Sequence, residues 1–388
     1  MKSSIVSANE FRIKSLFSLV FIRKQYEIAH SFLGHCFEKH DLWSWSYIYW
    51  IIMDKLDLKK LAKELNLSPS SVSRALRDSH EISSETRDRV KALAAKWGYQ
   101  PNPHASSLRK STSKTIAVIL PEIQNNFFAQ ALNGVEEVAK EKGYHVLIYL
   151  THEDNEREKE ILNLSRNGRV DGIMISVANT TTDFDHLEAC RASGMPLVFF
   201  DRVCEVMKSP RITSDDEEAA FKGTEVLLKK GCRKIAFLSL ADNLSISKRR
   251  IAGYERALSK YHVADNRLVV ECGIDEESNR VKIRELLSGN DKPDAIFAAI
   301  EKFAVNTYEV CNELKVIVPS QLKVICFSNL SAAALFNPPL STIVQPAYEI
   351  GKKSADVLFK IIEKKTLLPN DKKISISSQI IERRSTSR

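Results

Sequence analysis

The sequence predicts two folds in one chain: a small all-α helix-turn-helix domain, followed by a larger α/β core with doubly wound parallel sheets. Three observations support this prediction. Positive charge is concentrated in residues 54–110, which hold 12 basic and 7 acidic side chains. Closely spaced helix start and stop signals occur in the same stretch. Beyond it, short apolar runs alternate with helical patterns, as they do in doubly wound sheets.

The chain of 388 residues is long enough for two or three domains. We assign residues 53–101 to the helix-turn-helix domain, 102–112 to a hinge or linker, and 113–388 to the core. Residues 1–52 look foreign to the rest, and their final apolar run is shorter than the roughly 20 residues that span a bilayer. We expect Met53 to be the natural start and residues 1–52 to be upstream translation. An amphipathic membrane-surface segment is the alternative.

Three helices are predicted after Met53. Asp57 can cap the first, and Asn66 can take the left-handed conformation that ends it. Ser68 can cap the second helix, which has Pro69 at its first position, where proline is favoured. A third helix, capped by Ser83, backs the other two. This arrangement is a helix-turn-helix, whose second helix enters the major groove of DNA.

The second predicted helix has an apolar stripe and an opposite face of small hydroxyls around one arginine. The opposite face carries Ser70, Ser71, Ser73 and Arg74. Small side chains let the helix approach the floor of the groove, and an arginine can pair with guanine O6 and N7 or reach a phosphate. The excess of basic residues is typical of a nucleic-acid-binding domain, although an ordinary solvated face also fits the charge alone.

The core is predicted to contain two series of buried strands. The first comprises Thr115–Leu120, Val146–Leu150, Gly172–Ser176 and Leu197–Phe200, and the second Lys234–Ser239, Leu268–Glu271, Ala295–Ala299 and Lys323–Phe327. No motif provides a mechanism for catalysis, and the seven cysteines contain no CxxC pair. We therefore predict no catalytic residue, no metal site, no cofactor and a reducing, cytoplasmic location.

Ordered segments from Leu56 to Ser385 resemble the LacI/GalR family of bacterial transcription regulators. They include LKKLAKELNLSPSSVSRAL, GYQPNPHASSLR, NNFFAQALNGVEEVAKEKGYHV, MPLVFFDR, RRIAGYERAL and PPLSTIVQP, and several resemble the branch common in Bacteroidetes. The resemblance implies a two-lobed, periplasmic-binding-protein-like core, a homodimer on a pseudo-palindromic DNA operator, and a carbohydrate effector in the cleft. It favours a repressor over an activator.

The resemblance also implies which residues contact DNA. Ser68 caps the recognition helix, Pro69 and Ser70 read bases, and Arg74 makes a further groove contact. Residues 102–112 match the family hinge helix, in which Asn102, Ala105 and Leu108 contact DNA. Leu108 lies at the position that wedges into a base step from the minor groove. A helix this short is marginal alone, so we expect it to form only on DNA; a plain flexible linker is the alternative.

Six ligand contacts are implied at the cleft between the lobes. The residues are Phe127, Phe128, Asp201, Arg250, Glu301 and Ser328, of which the last two differ from the polar residues common in the family. A sugar suits such a set, because its hydroxyls bond to charged groups while its C–H face packs on an aromatic ring. The alternatives are ordinary core packing for the two phenylalanines and a structural ion pair for Asp201 and Arg250.

Two other classes of protein share such a core. A solute-binding protein would need an export signal and would have no use for residues 54–110. A sugar-processing enzyme would need a nucleophile or an acid/base pair in the cleft, and the sequence nominates none. We therefore expect a regulator in which the ligand changes lobe closure and thereby the cost of forming the paired hinge helices.

Overall fold

The computed structural model describes residues 57–99, 112–273 and 275–387. These residues fall into two compact units, with 57–99 in the first and 112–387 in the second. The predictions for residues 1–52 and for the hinge residues Asn102, Ala105 and Leu108 lie outside the described residues. No helix in the described ranges is long and apolar enough to cross a membrane.

The first unit contains three helices: α1 (Leu58–Glu64), α2 (Pro69–Ala75) and α3 (Ser84–Trp97). All three predicted caps are present, because the side chains of Asp57, Ser68 and Ser83 each accept a hydrogen bond from a backbone N–H in the first turn of their helix. Asn66 has the predicted left-handed conformation, with φ 54°, and Gly98, which caps the carboxyl end of α3, has φ 65°. Local sequence signals therefore set where these short helices begin and end.

A small apolar core holds the three helices together. It consists of Leu61, Ala62, Val72, Ala75, Val90 and Ala94, two residues from each helix, all buried. Leu93 and Trp97 pack against this core while half-buried. The stripe predicted for α2 thus faces inward, which leaves its hydroxyl face outward.

The second unit is built from two lobes. The first lobe begins with β1 (Thr115–Leu120), α4 (Asn126–Glu141), β2 (His145–Leu150), α5 (Asn155–Ser165), β3 (Gly172–Ile175), α6 (Asp185–Ala192), β4 (Leu197–Phe200) and β5 (Arg211–Ser214). The second contains α7 (Asp216–Lys229), β6 (Ile235–Ser239), α8 (Ser245–Lys260), β7 (Leu268–Glu271), α9 (Glu276–Ser288), β8 (Ala295–Ala298), α10 (Glu301–Leu314), β9 (Lys323–Phe327) and β10 (Ser341–Val344). The chain then returns through α11 (Ala347–Ile362), α12 (Pro369–Lys372) and β11 (Lys373–Ile376) to the first lobe, and adds β12 (Gln379–Ile381) to the second.

Each lobe has a six-stranded sheet. The strand orders are β11-β5-β4-β3-β1-β2 and β12-β10-β9-β8-β6-β7, and every pairing is parallel except β10 with β12. The chain passes between the lobes three times, after β5, after β10 and after β11. A doubly wound sheet places ligand-binding loops at the carboxyl ends of its strands, so these crossings border the cleft.

All eight predicted strands are present, within one residue at either end. The prediction that all eight are buried was wrong for β2 and β7, which lie at the sheet edges. Leu147 and Ile148 of β2 are 38% and 42% exposed. Four strands, β5, β10, β11 and β12, were missed. They are three or four residues long, and each adjoins a crossing between the lobes.

Helices α4 and α11 pack closely because glycine lies at their contact. A Cβ atom on Gly351 would lie 1.9 Å from the carbonyl oxygen of Ala131, and one on Gly134 would lie 2.2 Å from that of Tyr348. Neither backbone oxygen can move independently of its helix, so the two helices would have to separate to admit a methyl group.

Gly351→Ala is therefore expected to lower the free energy of unfolding by roughly 1 to 3 kcal/mol. Denaturant titration of the full chain, followed by circular dichroism, measures this loss. Gly273→Ala is the matched control, because a Cβ atom there meets nothing within 4 Å. Equal losses in the two variants would contradict the close-packing argument.

Candidate functional site

The exposed face of α2 lies at its amino end. Ser68, Pro69 and Ser70 are exposed, while Ser71 and Ser73 are half-buried. The Ser68 hydroxyl accepts the backbone N–H of Ser71 at 3.0 Å and lies 2.8 Å from the Ser70 hydroxyl. The hydroxyls thus form one exposed cluster at a helix amino terminus, where backbone N–H groups favour a phosphate.

Arg74 lies at the other end of the same face. Its Nη1 is 2.9 Å from Oε2 of Glu81, and both side chains are more than half exposed. An exposed ion pair of this kind contributes little free energy, so the guanidinium can exchange Glu81 for a base edge or a phosphate at small cost. Arg77 is engaged locally, because its Nη2 donates to the Ser73 hydroxyl at 2.7 Å. Neither Glu81 nor Arg77 was identified from the sequence.

The second candidate site is the cleft between the lobes. Asp201 directly follows β4, Asp216 begins α7, and Glu301 begins α10. Ser328 directly follows β9, and Arg250 lies in α8. All of these positions are at strand ends or on helices that start beside the cleft, as a ligand site in a doubly wound fold requires.

Arg250 is held by three partners inside the second lobe. Its Nε and Nη2 each lie 2.8 Å from Oδ1 of Asp216, and Nη1 donates to the Ala299 carbonyl at 2.6 Å. The guanidinium carbon lies 4.0 Å from the centre of the Phe327 ring. Arg250 therefore forms a structural ion pair, and a direct contact with ligand stays a prediction. Asp216, the ion-pair partner of Arg250, was not identified from the sequence.

Asp201 is a buried carboxyl group in a strained backbone conformation. Its φ is 58°, a left-handed value that is uncommon for residues other than glycine. Burial raises the pKa of Asp201 from 3.8 to about 6, against the opposing attraction of Arg202 and Arg250. A strained, buried carboxyl group at a strand end is typical of a functional position.

Glu301 joins the two lobes. Its Oε1 accepts hydrogen bonds from the side chain of Asn126 at 2.9 Å and from its backbone N–H at 3.3 Å. Its Oε2 accepts from the Ser328 hydroxyl at 2.9 Å. The two residues that depart from the resembled family pattern therefore contact each other, and together they reach the amino end of α4 in the opposite lobe.

Phe127 and Phe128 lie in the core of the first lobe. They are 3% and 1% exposed, with ring centres 5.4 Å apart in an edge-to-face arrangement. Phe128 also contacts Phe200 at 6.4 Å between ring centres. These contacts match the alternative of core packing, so stacking against a ligand stays a prediction.

Several residues of the cleft were not identified from the sequence. Arg202 is 3% exposed, and its Nη1 donates to both carboxylate oxygens of Glu153, at 2.7 and 2.9 Å. Ten buried side-chain polar atoms have no hydrogen-bond partner within the described ranges, and four of them belong to strand ends or helices that begin beside the cleft: Asp216 Oδ2, Ser239 Oγ, Ser247 Oγ and Arg202 Nε. Their positions at strand ends and helix starts were the signal by which the sequence could have identified them.

The described residues contain no group of three or more His, Cys, Asp or Glu side chains that could hold a metal ion.

A helix-turn-helix unit and a two-lobed core with a polar cleft define a ligand-responsive DNA-binding regulator. Residues 57–102 match the family model described as "Bacterial regulatory proteins, lacI family". Residues 113–383 match that of periplasmic binding proteins and the sugar binding domain of the LacI family. The chain belongs to the LacI family and is a DNA-binding transcription regulator.

Catabolite control protein A of Priestia megaterium is 30% identical over 311 residues, which are 79% of this chain and 92% of that protein. The Lac repressor dimer, solved with operator and the anti-inducer ONPF, has a TM-score of 0.76 at 21% identity and covers 85% of this chain and 99% of its own. A LacI-type regulator from Alkaliphilus metalliredigens, solved with D-xylulofuranose, has a TM-score of 0.61 at 25% identity. It covers 71% of this chain and all of its own.

The raised pKa of Asp201 predicts a stability change with pH. Between pH 3.8 and about 6 the folded protein holds a proton that the unfolded chain has released, so the contribution of this group to stability falls as pH rises through that window. Asp201→Asn is expected to raise the free energy of unfolding by roughly 1 to 3 kcal/mol near neutral pH, and the gain should vanish by about pH 4. Denaturant titration at several pH values measures it. The exposed Asp242→Asn is the control, and an equal gain at both pH limits would contradict burial as the cause.

Arg74→Ala is expected to weaken binding to a specific operator by roughly 1 to 3 kcal/mol and to change binding to random DNA little, if Arg74 reads a base. Glu81→Ala, which frees the same guanidinium, should not weaken operator binding. Fluorescence anisotropy on operator and random duplexes at one salt concentration measures both variants. Equal losses of Arg74→Ala on the two duplexes would instead make Arg74 a phosphate contact.

Proposed function

We propose that the cleft binds a carbohydrate effector and that binding changes the affinity of the helix-turn-helix unit for operator DNA. The observation that carries this proposal is the subset of buried, unpartnered polar atoms at the cleft, namely Asp216 Oδ2, Ser239 Oγ, Ser247 Oγ and Arg202 Nε. An unmet buried hydrogen-bonding group is costly, and a ligand with many hydroxyls can satisfy several at once. The sugar-binding description of the core family and the D-xylulofuranose held by one relative support the same class of ligand.

The proposed mechanism is a shift between lobe arrangements. Polar contacts cross the cleft at several points, including Gln130 with Asn329 at 2.8 Å, the Val203 N–H with the Ser245 hydroxyl at 3.0 Å, and Glu301 with Asn126. A ligand that bonds to both lobes changes the balance between closed and open arrangements. The chain enters the core at β1 of the first lobe. We propose that a change in lobe arrangement alters the relative position of the two points at which residues 102–112 join the cores of the dimer.

On DNA, we propose a homodimer that reads a pseudo-palindromic operator, with Ser68, Pro69, Ser70, Ser71, Ser73 and Arg74 at the major groove and Asn102, Ala105 and Leu108 in the hinge. Two-fold sites require two recognition helices, and paired hinges supply packing that one short helix lacks. We further propose that the protein acts in the cytoplasm as a repressor and has no catalytic activity. The regulators among its relatives support this proposal.

A mobility-shift titration of the full chain on genomic fragments, with and without a panel of pentoses, hexoses and disaccharides, tests the function. The expected result is that a carbohydrate weakens or tightens the binding of the protein to operator DNA, with an effect that saturates. Operator binding that no carbohydrate changes would overturn the proposal.

Ser247→Ala is expected to weaken the effector response roughly 2- to 10-fold, the effect of one neutral hydrogen bond, while operator binding without effector and the melting temperature stay unchanged. Its hydroxyl has no hydrogen-bond partner in the described structure, so its removal breaks no hydrogen bond there. Arg250→Ala is less informative because it would leave Asp216 buried without its cation. Ser259→Ala, exposed on the same helix, is the control. An unchanged response in Ser247→Ala would remove that hydroxyl from the site.

A further inference from the structure

The charges along the cleft are unequal. Four carboxylates, those of Glu153, Asp201, Asp216 and Glu301, accompany two buried guanidinium groups, those of Arg202 and Arg250. We propose that the effector is an uncharged sugar, and that the carboxylates of the cleft exclude phosphorylated sugars. This inference rests on the proposed function and narrows the class of its ligand.

Both buried guanidinium groups are already neutralised. Arg250 uses Nε and Nη2 on Asp216 and Nη1 on the Ala299 carbonyl. Arg202 binds both oxygens of Glu153 through Nη1. Phosphate recognition by arginine relies on a free planar fork. Arg250 presents none, and the charge of Arg202 is balanced by Glu153, although its Nε has no partner.

The helix amino termini beside the cleft are also occupied by acids. Glu301 is the first residue of α10, and its carboxylate accepts the first backbone N–H of α4, from Asn126. Asp216 is the first residue of α7, followed by Glu217 and Glu218 in the same turn. A helix amino terminus attracts anions, but here protein carboxylates already lie at these positions.

Helix α8 has no acid in its first turn. Its Arg249 forms an ion pair with Glu205 and donates to the Thr213 hydroxyl at 3.2 Å. Lys302, at the start of α10, lies 3.4 Å from Oε1 of Glu276. These two half-buried cations, Arg249 and Lys302, therefore also have carboxylate partners.

The unpartnered atoms point the same way. Asp216 Oδ2 accepts hydrogen bonds only, so its partner in a complex must be a donor. Ser239 and Ser247 can donate or accept, and Arg202 Nε requires an acceptor. A sugar hydroxyl can meet each of these needs. A phosphate dianion can accept from Arg202 Nε and from the two serine hydroxyls, but it offers no donor to Asp216 Oδ2 and would approach Asp201 and Glu301 with like charge.

The test compares each sugar with its own monophosphate. Full-length protein on its operator is titrated with a panel of pentoses, hexoses and disaccharides and their phosphates, and the concentration for half-maximal change in DNA binding is recorded. Thermal shift without DNA provides a second readout. Every active sugar should act at a concentration at least about tenfold lower than its phosphate, since like charges in a cleft disfavour binding.

A phosphate equal to or better than its sugar would overturn the inference and leave the proposed function standing. Inactivity of every sugar and every phosphate would overturn both. The two failures are thus distinguishable.

Glu301→Gln tests the cause of the exclusion. It keeps an acceptor for Asn126 and removes one charge. The ratio of the half-maximal concentration of a phosphate to that of its sugar should therefore fall several-fold. Glu313→Gln, exposed on the same helix, is the control and should leave the ratio unchanged. An unchanged ratio in Glu301→Gln, with a melting temperature equal to that of the parent, would overturn the assignment of exclusion to the cleft carboxylates.

Discussion

The buried ion pair between Arg250 and Asp216 is the interaction on which the cleft depends. It joins α8 to the first residue of α7, directly after the first crossing between the lobes, and the same guanidinium anchors the end of β8 through the Ala299 carbonyl. Removal of one partner from such a pair typically costs 3 to 5 kcal/mol, because a buried charge is left alone. The pair therefore sets the position of three elements that border the ligand site.

The residues around this pair differ in what they can offer to a ligand. Arg250 and Arg202 have carboxylate partners, whereas Asp216 Oδ2 and the hydroxyls of Ser239 and Ser247 have none in the described structure. Glu301 lies between the lobes and bonds to both. One set of contacts thus fixes charged side chains within each lobe, and the other leaves hydrogen-bonding capacity for an effector. Coupling to DNA requires that the effector and the operator each favour one lobe arrangement over another.

Much of the fold could be predicted because local signals agree with it. Asp57, Ser68 and Ser83 cap the helices that they were expected to cap, and all eight predicted strands exist. Edge position was not predictable, since β2 has the apolar composition of a central strand yet exposes Leu147 and Ile148. Strands β5, β10, β11 and β12 escaped prediction because pairing between distant segments, and not local periodicity, makes them strands.

The sequence by itself determined the helix boundaries of the DNA-binding unit and the alternation of strands and helices in the core, because each depends on neighbours within a few residues. Its resemblance to the LacI family implied the candidate ligand contacts, among them Asp201, Arg250 and Glu301. Only the tertiary structure decided the partners of these side chains. Asp216 lies 34 residues before Arg250, and Asn126 lies 175 residues before Glu301. Charge neutralisation in the cleft depends on which distant groups folding brings within hydrogen-bond distance, and no local pattern in the chain encodes that pairing.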